Sequence, residues 1–412
     1  MTPIAFDSTT SPSEPAAVGV GASVTRTLIL GDLHLSAHTA PEVGRDLVTL
    51  VRQNPGARFI FAGDFLDLSA ESPRVPSGRA LAEGFGRNPE VARAFAEHLD
   101  VGGSLVFLGG NHDPELGAAS APAELARVLG VGAASGGRIA SFPWFFREGG
   151  LHVEHGNIFD PDNAPEHPLV VPAATLGVHF VEEFIAPTGA YAYLNANDGT
   201  PLKLFLSAFR WYGLRGPHVV YMYFSAAAKA LAKSGPFHPG KSERARGAAA
   251  MQPYATRVGL PLDACERVAA LCAPQTLTSL RDTVARLYLD RVLSTFAALG
   301  GLVAASVGGS IVGGAMLGAG ALGLATSWLR GHDRYGGSVA QRLEDGALGI
   351  ADATGAKLVV LGHAHRASER GAYANTGSFA FPRGLSGRPL LVVGGDATQP
   401  SAERVLFTAR GA

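Results

Sequence analysis

Thr27-Leu28-Ile29-Leu30-Gly31-Asp32-Leu33-His34 is an apolar run that stops on a glycine and then presents a carboxylate and an imidazole. A short continuous apolar run ended by a turn signal reads as a fully buried strand, because no polar residue alternates through it. Working outward, the same punctuation recurs. Arg58-Phe59-Ile60-Phe61-Ala62 precedes Gly63-Asp64, and Ser104-Leu105-Val106-Phe107-Leu108 precedes Gly109-Gly110-Asn111. Further on, Gly150-Leu151-His152-Val153-Glu154 precedes His155-Gly156, and Lys357-Leu358-Val359-Val360-Leu361 precedes Gly362-His363. Helical stretches lie between the early runs, from Glu42 to Gln53 and from Pro89 to Leu99, the latter with Val91, Phe95 and Leu99 on one face. Strands alternating with helices predict an α/β fold, with polar residues collected at the C-terminal strand ends.

The alternation breaks between Asp160 and about Ile350, where aromatic, Ala-rich and Gly-rich helical material takes over. Strand-like pieces return around Ala372 to Asn375, Pro389 to Val393 and Arg404 to Thr408. The expected organisation is a disordered leader at 1–24, a core formed by 25–160 and 350–412, and a helical insertion at 161–349. A chain of 412 residues is long enough for one large core and such a second element.

Composition narrows the function classes. A net charge of −1 and a pI near 6.9 lack the basic excess that drives non-specific nucleic-acid binding, so no nucleic-acid partner is expected. The two cysteines, Cys265 and Cys272, sit too far apart on what reads as one helix to bridge adjacent turns, and no disulfide framework follows. The leader has no basic start and no continuous apolar run, so it does not read as a signal peptide, and the catalytic part is expected to face the cytosol.

Five short signatures occur in order: Asp32-Leu33-His34, Gly63-Asp64-Phe65-Leu66-Asp67, Gly110-Asn111-His112-Asp113, His155-Gly156 and Gly362-His363-Ala364-His365. Singly, each is no more than a capping or turn residue at a strand end. Together they form a mixed carboxylate, amide and imidazole set that suits Mn, Fe or Zn, and open two-metal sites of this kind hydrolyse phosphate esters. His152 competes with His155 for the fourth position, but only His155 closes its strand and is followed by glycine. His112 cannot point the same way as Asn111 on an extended segment, which suits it to a general-acid role, with Asp67 or Asp113 to orient it.

The ordered set resembles the calcineurin-like metallophosphoesterases, matching them at every metal-ligand position. The resemblance implies a four-layer α-β-β-α sandwich, here carrying a large, mainly helical insertion. It implies that Asp32, His34, Asp64 and His365 hold one divalent ion and Asp64, Asn111, His155 and His363 a second, with Asp64 bridging. A water activated between the ions would attack phosphorus, His112 would protonate the leaving group, and the family comparison favours Asp67 over Asp113 as its partner. Many protein phosphatases of the superfamily place a phosphate-gripping Arg where this chain has Leu68. Relatives that cleave UDP-diacylglucosamine share the short core and large insertion but usually carry Arg where His112 stands, so that likeness is partial.

Within the insertion, Val292 to Leu329 runs for 38 residues without a charge, between Arg291 and Arg330. That exceeds the ~18–20 apolar residues of a membrane span. Ligands on either side of the tract must meet in one site, so a single crossing is excluded. Two full crossings need slightly more helix than the tract supplies, and a tight or shallow hairpin turning near Gly308 to Gly314 is expected. Gly309 with Gly313, and Gly314 with Gly318, are spaced for close helix contact in lipid. Arg281, Arg286 and Arg291 before the tract, and Arg330, Arg334 and Arg342 after it, put both ends on the cytoplasmic face. The alternative is a helical pair buried in a soluble cap. Phe205, Phe209, Trp211, Tyr212, Tyr221, Tyr223 and Phe224, among Lys203, Arg210, Arg215, Lys229 and Lys233, suit either a headgroup surface or a cap over the site. Pro236 to Arg246 reads as a flexible basic loop.

The expected function is therefore a phosphohydrolase with two divalent ions (Mn, Fe or Zn) acting on a phosphorylated small molecule or lipid at the cytoplasmic membrane face. The rivals are a soluble phosphodiesterase, nucleotidase or protein phosphatase of the same superfamily, and a catalytically inactive membrane scaffold.

Overall fold

The computed structural model describes residues 26–71, 77–171, 175–189, 210–329 and 338–409. The leader, together with Lys203, Phe205, Phe209, Arg330, His332 and Arg334, lies outside them.

Eleven strands form two mixed sheets among the described residues. In chain order they are β1 (Thr27–Leu30), β2 (Arg58–Phe61), β3 (Ser104–Leu108), β4 (Ile139–Phe142), β5 (Phe145–Glu148), β6 (Leu151–Glu154), β7 (Leu358–Leu361), β8 (Ser368–Arg370), β9 (Tyr373–Asn375), β10 (Arg388–Asp396) and β11 (Gln399–Phe407). The first sheet has the order β11-β10-β1-β2-β3-β4 and the second β5-β6-β7-β9-β8. β1, β2 and β3 run parallel, with Thr27 beside Arg58 and Arg58 beside Ser104, and β6 runs parallel to β7 with Leu151 beside Leu358. Parallel neighbours end at one edge, so each sheet delivers its polar strand ends to a common rim.

Alternation along the strands sorts the apolar residues into layers. Ile29, Ile60 and Val106 of the first sheet meet Val153, Leu358 and Val360 of the second in a shared apolar cluster. Phe59 and Phe61 point the other way, towards α1 (Pro41–Arg52), α2 (Ser77–Gly86), α3 (Pro89–Asp100) and α4 (Ala121–Leu129). On the far face of the second sheet, Val359, Leu361 and Tyr373 pack on helices Gly240–Val258, Leu262–Ala269 and Ser338–Thr354. Phe61 contacts the rings of Phe65, Phe107 and Phe95 at 4.8, 5.0 and 5.5 Å. Each such ring contributes ~1.5–3 kcal/mol on burial, and because Phe65 directly follows Asp64 this packing also anchors a strand end.

The insertion is helical, as expected, but differs in detail. Pro236 to Arg246 is no loop: helix Gly240–Val258 starts there, with Glu243 buried and Arg244 paired to Glu166. Docking against the core overrides the loop-like Pro-Gly composition. Cys265 lies in helix Leu262–Ala269 while Cys272 falls beyond its end, and both are free thiols. Of the aromatic group, Tyr212 and Tyr223 pack against Val181, Phe184 and Val219, whereas Trp211, Tyr221 and Phe224 are exposed.

Helices Leu289–Ser306 and Ser310–Leu329 form a hairpin. Their 18 and 20 residues span about 27 and 30 Å at 1.5 Å rise. The first helix begins before the uncharged tract, so the pair is longer than the tract alone suggested, and both helices are long and apolar enough to cross a membrane. Their outer faces are open, with Leu302, Ile311 and Leu322 at 57, 87 and 70 % exposure. The contact between them runs through Gly301, Gly313 and Gly320, where a Cβ would come within 2.3–2.4 Å of the opposite backbone. Gly314 and Gly318, expected at the seam, face open space. The antiparallel seam repeats every two turns and so selects Gly313 and Gly320 rather than residues four apart.

Candidate metal centre

The rims of the two sheets meet where β1, β2, β3, β6 and β7 end. Asp32 and His34 follow β1, Asp64 follows β2, Asn111 follows β3, His155 follows β6, and His363 and His365 follow β7. The structure brings all seven together. His34 Nε2 is 3.0 Å from His365 Nε2, which is 3.1 Å from Asp32 Oδ1. His155 Nε2 lies 3.1 Å from Asp64 Oδ2, 3.0 Å from Asn111 Oδ1 and 3.3 Å from His363 Nδ1. Asp64 and His34 join the two halves, with Asp64 Oδ2 at 3.9 Å from His34 Nε2.

The backbone is bent to achieve this. Among the described residues six non-glycine residues have positive φ, and five of them are Asp32, His34, Asp64, His363 and His365, at 46–63°. Such conformations cost of order 1–3 kcal/mol each and persist where the surroundings hold them for a purpose. Two glycines admit the close approach: a Cβ on Gly110 would fall 2.1 Å from Asp64 Oδ1, and one on Gly63 2.5 Å from the His155 ring.

The donor set fits divalent cations. Imidazole nitrogens face one another and face carboxylate oxygens, which makes sense for lone pairs converging on a common positive charge. Asp32 Oδ1 is fully buried and faces the His365 ring nitrogen at 3.1 Å. Asp32, His34 and His365 form one group able to hold an ion, Asp64, His155 and His363 another, and His34, Asp67 and His112 a third. Burial pushes His34 down to about 4 despite the nearby Asp64, keeping its imidazole neutral as a ligand must be. Burial also disfavours a charged His155, but Asp64 outweighs it and holds the group up at about 9. Burial opposes ionisation of Asp64, yet His155 and His112 hold its carboxyl well below the usual range. The same field that retains a proton between Asp64 and His155 attracts a metal cation.

The outer residues are arranged around these. His112 Nδ1 lies 2.8 Å from Asp67 Oδ1 and 2.6 Å from Ser69 Oγ, and Ser69 Oγ donates to the same Asp67 oxygen at 2.8 Å. Burial disfavours its imidazolium, but Asp67 and Asp64 prevail and hold His112 up at about 10. Asp113 does not reach His112 through either oxygen. Its Oδ1 accepts from the amides of Asp64 and Gly110 at 3.1 and 3.0 Å, and its Oδ2 from Leu66 at 2.8 Å. Burial, with repulsion from Asp64, pushes its carboxyl up to about 7. His152 is not in the cluster: it pairs with Glu154 at 3.2 Å and stacks on Phe145 beneath the insertion.

Sequence reasoning missed three residues. Ser69 bonds His112, Asp160 Oδ2 sits 3.0 Å from His363 Nε2, and Asn163 Oδ1 accepts from Asn111 Nδ2 at 3.3 Å. Burial raises the Asp160 carboxyl, but its bond to His363 prevails and brings it down to about 2. A polar residue soon after Gly156 was the available signal, and nothing local tied it to His363. Beside Asn111 and His155 opens a cavity of about 340 Å³, walled by Trp144, Val170 and Val178 and carrying charges of both signs, Lys233 and Arg257 with Glu154 and Glu182.

Neither the models of known protein families nor the curated proteins contain a match to this chain.

Proposed function

We propose that the chain is a membrane-associated metallophosphoesterase of the calcineurin-like type, built on the four-layer α-β-β-α sandwich. It cleaves a phosphoester or pyrophosphate bond in a lipid or lipid-linked substrate. The observation that carries this reading is the convergence of Asp32, His34, Asp64, Asn111, His155, His363 and His365 from five strand ends onto one rim.

Asp32, His34, Asp64 and His365 would hold one divalent ion, and Asp64, Asn111, His155 and His363 would hold a second, of Mn, Fe or Zn. When bound, such a pair supplies charge against the phosphoryl oxygens and lowers the pKa of water. His112 stands beside His34, with ring centroids 4.9 Å apart. With Nδ1 taken by Asp67 and Ser69, its other ring nitrogen is left to protonate the departing oxygen. Asp113 braces the turn that carries Asp64 and Asn111 through three backbone amides. The cavity beside Asn111 takes the group attached to phosphorus.

The hairpin supports a membrane location. Its apolar outer faces have no counterpart in the described protein, and aromatic and cationic residues gather at its root. Arg291 lies over the rings of Tyr288 and Trp328 at 4.8 and 5.8 Å, the composition of a membrane–water interface. Both helix ends at that root lie on one side, which the cytoplasmic assignment requires.

The test is hydrolysis of an aryl phosphate by full-length protein charged with Mn, Fe or Zn, beside the Asp64→Asn variant. Activity that disappears in the variant supports the reading. No activity with any of the three ions, or equal activity in the variant, rejects it, and a protein that also purifies without bound metal is the inactive scaffold instead.

A further inference from the structure

We propose that Asp160 and Asn163 are positioning residues, Asp160 holding the His363 ring from its far side and Asn163 holding the Asn111 amide, so that both are set for one ion of the pair. This rests on the two-ion reading above.

The imidazole ring of His363 presents its two nitrogens in diverging directions. Nδ1 faces His155 Nε2 at 3.3 Å, inside the cluster, while Nε2 lies 3.0 Å from the buried Asp160 Oδ2, outside it. A carboxylate accepting from Nε2–H leaves the lone pair on Nδ1, the nitrogen that faces the cluster, and also fixes the ring plane. His155 is fixed in the same way by a different group, its Nδ1 donating to the carbonyl of Ala62 at 2.9 Å. The two histidines of this half thus each have one nitrogen held from outside and one turned inward.

Asn163 completes the bracket. Its Nδ2 donates to Asp160 Oδ2 at 2.7 Å, and its Oδ1 accepts from Asn111 Nδ2 at 3.3 Å. An amide held by its nitrogen is committed to presenting its oxygen on the other side, and Asn111 Oδ1 is 3.0 Å from His155 Nε2. The loop that carries both residues is itself fixed. The Asp162 amide donates to Asp160 Oδ1 at 3.1 Å, while the Asp162 carboxylate takes Arg286 Nε at 2.5 Å and Thr276 Oγ1 at 2.7 Å. Asp32, in the other half, is braced elsewhere, its carbonyl accepting from Ser378 Oγ at 2.8 Å.

The experiment is calorimetric titration of Mn into chelator-stripped full-length protein in lipid nanodiscs, for wild type, Asp160→Ala, Asp160→Asn and Arg286→Gln, each with a thermal melt. Wild type should show two binding classes. Asp160→Ala should weaken one class by roughly 10–100-fold, the range for lost partners of metal-bound histidines, and leave the other unchanged. Asp160→Asn, which keeps an acceptor for Nε2–H, should recover part of the loss, and Arg286→Gln should give a smaller loss in the same class. Two wild-type classes that persist unaltered in Asp160→Ala overturn the inference. So does an equal loss in both classes that Asp160→Asn does not relieve, because that marks a general structural role. If Asp160→Ala does not fold, the Asp160→Asn and Arg286→Gln titrations decide. Wild type that binds no Mn overturns the two-ion reading itself.

Discussion

Replacing His112 with Asn should slow catalysis in a way that depends on the leaving group. In the structure Nδ1 of His112 is occupied by Asp67 at 2.8 Å and Ser69 at 2.6 Å, so the ring has one nitrogen left for substrate and a fixed direction in which to offer it. A positioned general acid contributes about 10²–10⁴ in rate, or about 2.7–5.4 kcal/mol at 1.36 kcal/mol per decade. That full loss applies to an alkoxide, which cannot leave without a proton. A nitrophenolate leaves unaided, so the same substitution should cost it less than about tenfold. The assay compares kcat/KM for matched alkyl and nitrophenyl phosphodiesters in His112→Asn and wild type, at equal metal content. Asp67→Asn keeps a neutral acceptor at Nδ1 and should show the same selectivity at smaller size. Equal losses on both esters, or no loss on the alkyl ester, would refute the assignment.

Chelation should destabilise the protein, because Asp32 and Asp64 are buried beside one another. Restoring Mn at about 100 times its Kd should return ~2.7 kcal/mol per site, read as a rise in Tm; an unchanged Tm would contradict metal binding. Leu299→Arg together with Leu322→Arg places charges near the middles of the two hairpin helices, on exposed positions. At roughly 2.5–3.5 kcal/mol each, they should move the protein from carbonate-washed membranes to the soluble fraction while sparing aryl phosphate hydrolysis. If the double variant still sediments with membranes, the hairpin is not the anchor. Gly313→Ala should loosen the hairpin, since its Cβ would lie 2.4 Å from Ala305 N, whereas Gly318→Ala meets open space and should stabilise its helix by about 1 kcal/mol. Thermal melts of the two variants shifting in the same direction would falsify the seam.

The central strands were legible because β1, β2, β3 and β7 are largely continuous apolar runs, while β6, which alternates Leu and Val with His152 and Glu154, was legible from the His155-Gly156 turn that ends it. β4 and β8 were not: β4 alternates buried and half-buried positions, and β8 is exposed throughout, so its pairing with β9 defines it rather than its composition. The site was legible in part for a related reason. Residues that follow a buried strand are placed by that strand, and Asp32, Asp64 and Asn111 could be read once the ordered set of such strand ends was taken together. Asp67 and Asp113 could not be separated that way, since both stand close to a proposed ligand in sequence, and only the fold shows Asp113 spent on backbone amides. Asp160 reaches a histidine 203 residues away, and nothing near it in sequence ties it to that partner. The hairpin was legible as an uncharged tract, but its seam depends on helix phase and on the turn at Gly308, which composition does not specify.

The central claim is that seven side chains from five strand ends hold a pair of cations. Crystals of the full-length protein grown with Mn, with anomalous data collected near the Mn edge, test it most directly. Two peaks should lie against the shared carboxylate of Asp64, one beside Asp32, His34 and His365 and the other beside Asn111, His155 and His363. A map with no anomalous density at this rim, from protein that is folded and saturated with Mn, would contradict the account.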